Sequence, residues 1–221
     1  MVPPDATDPA QGDGPAQPLT DAAWPPHPDA PVLDAVLAAW RTSVFSPARF
    51  YPALGRRQTI LPDLLYYLAL GVVVAGIGLF WDAVLPRAGL PGRLGEAIGR
   101  GTELSPLTGF LLSPLVLLVA LFIAAVAVHA VLFVLGGAER GLRTTVRVLC
   151  FAYGPQLFGV VPVAGVLVGG VWTVVLAITG LRLAHDTRAW KASLAVLVPL
   201  VSWLLLITAA ALMLLLGRLA P

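Results

Sequence analysis

Polar side chains set inside apolar sequence are where any chemistry of this chain would reside, and they are few. His129 stands within the apolar run Phe110–Leu135, and His185-Asp186 follows a second such run. An ionisable ring at membrane depth is costly to bury unpaired. His129 therefore reads either as a proton-relay or pathway residue, or as a histidine satisfied by one or two hydrogen-bond partners. Tyr153 and Gln156, with Thr173 and Thr179 further along, are the other polar groups in that second run. Pro155 frees a backbone carbonyl in the turn before it, which such groups can satisfy. A structural hydrogen-bond network and a polar seam for a substrate both fit them. His129 with His185 and Asp186 matches no recognised ligand spacing, so no metal is expected. No Gly-x-Ser-x-Gly, His-Glu-x-x-His or Gly-Lys-Ser/Thr motif occurs, so the expectation is no catalytic residue, no cofactor and no enzyme activity.

A second group of residues suits an interface rather than a reaction. Trp40, Arg49, Arg56, Arg57, Arg140 and Arg143 form a candidate face for a cytoplasmic protein partner or for lipid. Each Arg near an anionic leaflet contributes about 1 kcal/mol of attraction. Membrane placement explains this basic charge without nucleic acid. Asp82, beside Trp81, is expected to be an interfacial carboxylate.

The elements that must position these residues are membrane helices. Hydrophobic residues make up 58% of the chain and charged ones 12%, with mean hydropathy +0.87. A soluble domain carries roughly 25% charge. Val148 to Leu181 is a run of 34 residues without a charge. As one helix it would be about 51 Å long, against a hydrocarbon core of about 30 Å, so it must turn near Pro155, Pro162 and Gly165. The expectation is an all-α polytopic protein with five spans, at about 64–84, 110–135, 144–161, 163–181 and 193–216. The last is expected to kink near Pro199. The third and fourth are short, which extending the third to Thr144 with Arg147 snorkelling relieves; a re-entrant hairpin is the alternative, and either way Arg147 and Arg182 lie on the same side.

Ahead of the spans, residues 1–31 are acidic and Pro-rich, with five Asp and no Lys or Arg. Such a segment is expected to be a disordered cytoplasmic tail. Residues 32–63 form a pre-membrane segment. There Leu33, Val36, Leu37, Trp40 and Val44 share one helical face, as in a helix lying on the membrane surface. No cleavable signal segment is expected, and Cys150, the single cysteine, can form no internal disulfide. Thirteen Arg against one Lys, and no Asn, suggest a GC-rich bacterial genome.

Lys and Arg counts set the orientation. The segment before the first span has 4, and the second-to-third and fourth-to-fifth connections have 3 each, making 10 on one side. The first-to-second loop has 3, the third-to-fourth turn none and the C-terminus 1, making 4 on the other. The N-terminus is therefore expected in the cytoplasm and the C-terminus outside the cell membrane (the inner membrane of a Gram-negative cell). Three small-xxx-small pairs, Gly71 with Ala75, Ala120 with Ala124 and Gly165 with Gly169, are expected to pack helices within one bundle, a homo-oligomer contact being the alternative.

Several of these residues carry a resemblance. Gly136-Gly137, the basic patch Arg140 to Arg147, Ala152-Tyr153-Gly154-Pro155, Val161 to Gly165 and Gly180 to His185 resemble the Yip1 domain family of five-span membrane proteins. Phe45 to Tyr51 is similar to that family's pre-membrane segment, and with the span count the resemblance covers about residues 32–216. It implies a cytoplasmic N-terminal segment and a five-helix bundle. Eukaryotic members are associated with Rab-type GTPases and traffic between the ER and Golgi. This chain lacks the Asp-Leu-Tyr-Gly-Pro motif those members carry before the first span, so the architecture carries over and a Rab partner does not. The functional expectation is a non-enzymatic scaffold or organiser of membrane proteins or lipids. The alternative is a small transporter or lipid-handling protein with a pathway between the third and fourth spans.

Overall fold

A computed structural model describes residues 24–25, 31–56, 59–84 and 105–219, and every regular element among them is helical. Four helices are long and apolar enough to cross a membrane: Leu61–Val84, Pro106–Val134, Ala164–His185 and the Ala189–Met213 part of the last. The expected third span, 144–161, takes a different form. It is a 12-residue α-helix, Gly141–Ala152, followed by a 3-10 helix, Gly154–Val160. In chain order the helices are α1 (Val32–Phe45), α2 (Pro47–Phe50), a 3-10 turn (Tyr51–Arg56), α3 (Leu61–Val84), α4 (Pro106–Val134), α5 (Gly141–Ala152), the 3-10 arm (Gly154–Val160), α6 (Ala164–His185) and α7 (Ala189–Leu219).

Local chemistry sets these boundaries. Ser105 caps α4 by accepting from Thr108 N–H at 3.2 Å, with Pro106 at the first helical position, where its missing N–H costs nothing. Pro155 stops α5 from continuing as an α-helix, and the chain goes on in the tighter 3-10 form. The turn into α6 is a γ-turn: Val163 sits at φ 62° and ψ −68°, and Ala164 N–H reaches Pro162 C=O at 2.7 Å. A β-branched residue is strained there. Asp186, in the left-handed region, ends α6 while Thr187 N–H bonds Arg182 C=O at 3.0 Å. α7 runs on through Pro199.

The 3-10 arm and α5 run antiparallel to α6. A Cβ on Gly169 would lie 2.6 Å from Pro155 O, one on Gly165 would strike Phe158 O, and one on Gly180 would lie 2.7 Å from Val148 Cγ1. Gly165 and Gly169 thus do pack helices, and they do so inside this chain. α6 is about 33 Å long, and α5 plus the 3-10 arm comes to about 32 Å, so both legs have the length of a hydrocarbon core. Gly71 abuts Leu117 of α4, with Ala75 beside it in the same groove. Ala120 and Ala124 do not meet the expectation: both are exposed, and the buried face of α4 is Leu121, Ala125, Val128 and Leu132.

The pre-membrane segment is built into the core. Val44, Phe50, Tyr51 and Leu54 are each 0% exposed. The apolar stripe expected on α1 is split: Leu33 and Leu37 point outward, whereas Trp40 and Val44 face the bundle together with Ala35, Ala39 and Ser43. Small residues at Ala35 and Ala39 permit that close approach. Trp172 Nε1–H donates to Val44 C=O at 3.1 Å, which places the end of α1 about 20 Å along α6 from His185. From there α2 and the 3-10 turn lead back, and the Tyr51 ring lies against Gly180. We call the end of the bundle where α3 and α5 begin and α4 and α6 finish the base. The expected disordered tail lies outside the described residues except for Trp24, Pro25 and Pro31, and Trp24 is buried in the core at 5% exposure.

Candidate functional site

Two polar clusters meet at the base. The first is an ion pair between Asp63, in the first turn of α3, and Arg147, in the middle of α5. Arg147 Nε lies 3.1 Å from Asp63 Oδ2, and both side chains are 2% exposed. The guanidinium also donates from Nη1 to Leu54 C=O at 3.0 Å and from Nη2 to Thr59 C=O at 2.8 Å. Its fork geometry lets one side chain hold three partners. Arg147 thus ties α5 to the 3-10 turn and to the start of α3. The Trp24 indole N–H donates to Asp63 Oδ1 at 3.1 Å. Around the pair stand Phe50, Tyr66 and Phe151, with ring centroids 4.6 Å apart for Phe50 and Phe151 and 4.7 Å for Tyr66 and Phe151. Nearby, burial raises the Tyr51 phenol well above its ordinary range, so it stays neutral.

Arg147 does not snorkel. It is a structural cation, and neither its role nor Asp63 was evident in the sequence. The available signal was weak: Asp63 is the one acid at the start of an apolar span, and Arg147 interrupts a run of Thr, Val and Leu.

The second cluster brings together His129 of α4 and His185 of α6. Thr145 of α5 bridges them: its Oγ1 lies 2.9 Å from His129 Nδ1 and 3.0 Å from His185 Nε2. The ring centroids are 6.1 Å apart. Thr145 and His185 are fully buried and His129 is half-buried. One hydroxyl carries one proton. With both rings neutral, one ring donates to the Thr145 oxygen and the other accepts from its O–H. The chain therefore has a direction, and reversing it with both rings neutral requires each ring to change tautomer. Both near nitrogens face the hydroxyl at hydrogen-bond distance, and among the described residues no group of three or more His, Cys, Asp or Glu could hold a metal ion.

Gln156 Nε2 donates to Thr173 Oγ1 at 3.1 Å, linking the 3-10 arm to α6. The Tyr153 ring packs on Tyr67 at 4.9 Å, and Tyr67 O–H donates to Leu117 C=O at 3.2 Å. These contacts tie the broken arm to α3 and α4. A cavity of about 230 Å³ between α3 and α4 is lined by Gly71, Ala75, Ser113, Leu117 and Tyr153 among others. Asp82 is exposed at the far end of α3, Thr179 is half-buried, and Asp186 is exposed. Trp40, expected on a partner-facing surface, is instead turned inward, and its indole N–H donates to Gly154 C=O at 2.9 Å. Arg49, Arg140 and Arg143 are exposed. Arg57 and the side chain of Arg56 lie outside the described residues.

Comparison with curated proteins and with solved structures finds no match. Comparison with protein families matches the Yip1 domain over residues 41–212. That stretch runs from the end of α1 to the outer part of α7 and includes every contact of both clusters except the Trp24 hydrogen bond. The match covers well over half of the chain, and with four helices of spanning length it makes the protein an integral membrane protein belonging to the Yip1 domain family.

Proposed function

We propose that the chain crosses the bilayer five times, with a cytoplasmic N-terminus and an outer C-terminus, and serves as a non-enzymatic scaffold for membrane proteins or lipids. The third crossing is α5 with its 3-10 arm, and the outward Leu33 and Leu37 of α1 face lipid. The observation that carries this reading is the construction of the base. Arg147 clamps the pre-membrane turn to the membrane helices, so the segment bearing Arg49 and the helix bearing Arg140 and Arg143 are joined, and these exposed arginines do not hang from a loose tail. Exposed arginines beside the headgroups suit recruitment of acidic protein segments or anionic lipid. Pull-down from nanodiscs should recover a stoichiometric partner with the wild-type chain and lose it with R49E/R140E/R143E. Recovery of no partner under several conditions, or of the same partner by both chains, contradicts the proposal.

The second reading, a small transporter or lipid-handling protein, draws on the His129–Thr145–His185 chain. It predicts flux in liposomes that H129A or Q156A abolishes while the fold survives. The close packing of the 3-10 arm on Gly165 and Gly169 and the Gln156–Thr173 bond fill the seam such a pathway would need. Wild-type liposomes without leak above background remove its basis.

A further inference from the structure

Ahead of α1, Trp24 is the one described residue that is buried; Pro25 and Pro31 are exposed. Its indole stands edge-on to Tyr66 and Phe151, at centroid distances of 5.5 and 6.4 Å, and donates to Asp63 Oδ1 at 3.1 Å. Among the described residues, the walls of this socket come from the bundle and the 3-10 turn. Arg147 fixes the Asp63 carboxylate through Oδ2, and Leu54 C=O and Thr59 C=O fix Arg147. Tyr66, Phe151 and Phe50 pack on one another at 4.6–4.7 Å. The result is a preformed recess with an anionic acceptor among aromatic rings. An indole matches it in both respects, a flat apolar body and one N–H donor. A phenyl ring would bring no donor to the carboxylate.

We propose that this recess is an exchangeable binding site for an indole-bearing peptide segment, and that Trp24 is its self-supplied ligand. Trp24 latches the tail in cis and lifts off without unfolding the base. The short tether to Val32 holds the indole at high effective concentration, so a tryptophan-bearing segment of another protein docks here only by competing with it. The inference stands apart from the scaffold reading, because it concerns the Asp63 recess and not the arginine surface.

The test uses the full chain in nanodiscs, as wild type and as Trp24→Ala, with a fluorescent peptide of residues 18–31 and its Trp24→Ala counterpart as probes. The peptide should bind the W24A chain saturably, bind wild type at least tenfold more weakly, and lose at least tenfold in affinity when its own Trp is replaced. Trp24→Phe, which fills the recess without the N–H, should let the peptide bind more tightly than wild type does. Equal binding to wild type and W24A overturns the proposal, as does equal binding of the two peptides, or no binding to a folded W24A chain. A W24A chain that cannot be recovered folded overturns it too, since a latch is dispensable to the fold.

Discussion

Arg147 and Asp63 show how much one buried pair can determine. Taking two charges out of water is expensive, and removing one partner leaves the other stranded. Asp63→Asn should therefore destabilise the detergent-solubilised protein by about 3–5 kcal/mol, read as the shift in its unfolding transition. Arg147→Lys should fall short of wild type, because an ammonium cannot reproduce the fork that reaches Leu54, Thr59 and Asp63 together; a wild-type transition for Arg147→Lys would show that charge alone suffices. Thr145→Val should cost about 1–3 kcal/mol by leaving two imidazole nitrogens without their bridging hydroxyl. Thr145→Ser should restore most of that, and nitrogen shifts of His185 should report the changed tautomer. None of these pairings was legible in the sequence. Asp63 and Arg147 are far apart along the chain, and the arginine counts treated Arg147 as one more surface charge. His129 and His185 were visible as oddities, but Thr145, an ordinary helix threonine, was not.

At the scale of elements, the broken third arm depends on two local devices. The first is the γ-turn at Val163, whose positive φ strains a β-branched residue. Val163→Gly should raise the unfolding transition by about 1 kcal/mol, the relief exceeding the entropy that Gly adds to the unfolded chain; a lower transition would mean the turn is held by the Val side chain. The second is the absence of a side chain at Gly169, where a Cβ would meet the Pro155 carbonyl at 2.6 Å. Backbone cannot swing aside as a side chain can, so Gly169→Ala should cost about 1–3 kcal/mol and separate the arm from α6. Length and hydropathy located the turn at Pro162 correctly, because a charge-free run that long has to fold back. They did not show the change from α-helix to 3-10 after Ala152. Pro155 was read as one of three breakers that frees a carbonyl within a span at about 144–161, and the competing fact is the closeness that Gly165 and Gly169 allow. For α1, periodicity found the helix but not its buried side, since Ala35 and Ala39 carry too little hydrophobicity to outweigh Leu33 and Leu37.

Over the whole molecule, the base and the far end differ in kind. The base holds the filled aromatic core, both polar clusters and the exposed Arg140 and Arg143, whereas the described side chains of α7 beyond Val196 are exposed almost throughout. Such a helix fits surroundings of lipid, which cover apolar side chains without demanding a partner. In the sequence, 10 of the 14 Lys and Arg fall in the segments expected on one side, and the loss of Arg147 from the surface lowers that total only to nine. The most direct measurement is the accessibility of the hairpin tip. Val161→Cys and Arg140→Cys, each placed singly in a Cys150→Ala chain, would be exposed in oriented vesicles to a membrane-impermeant maleimide. Five crossings predict that position 161 labels from the side opposite position 140. Labelling of both from the same side, or protection of position 161 from both sides, would contradict the five-crossing topology and leave α5, its 3-10 arm and α6 as a re-entrant hairpin.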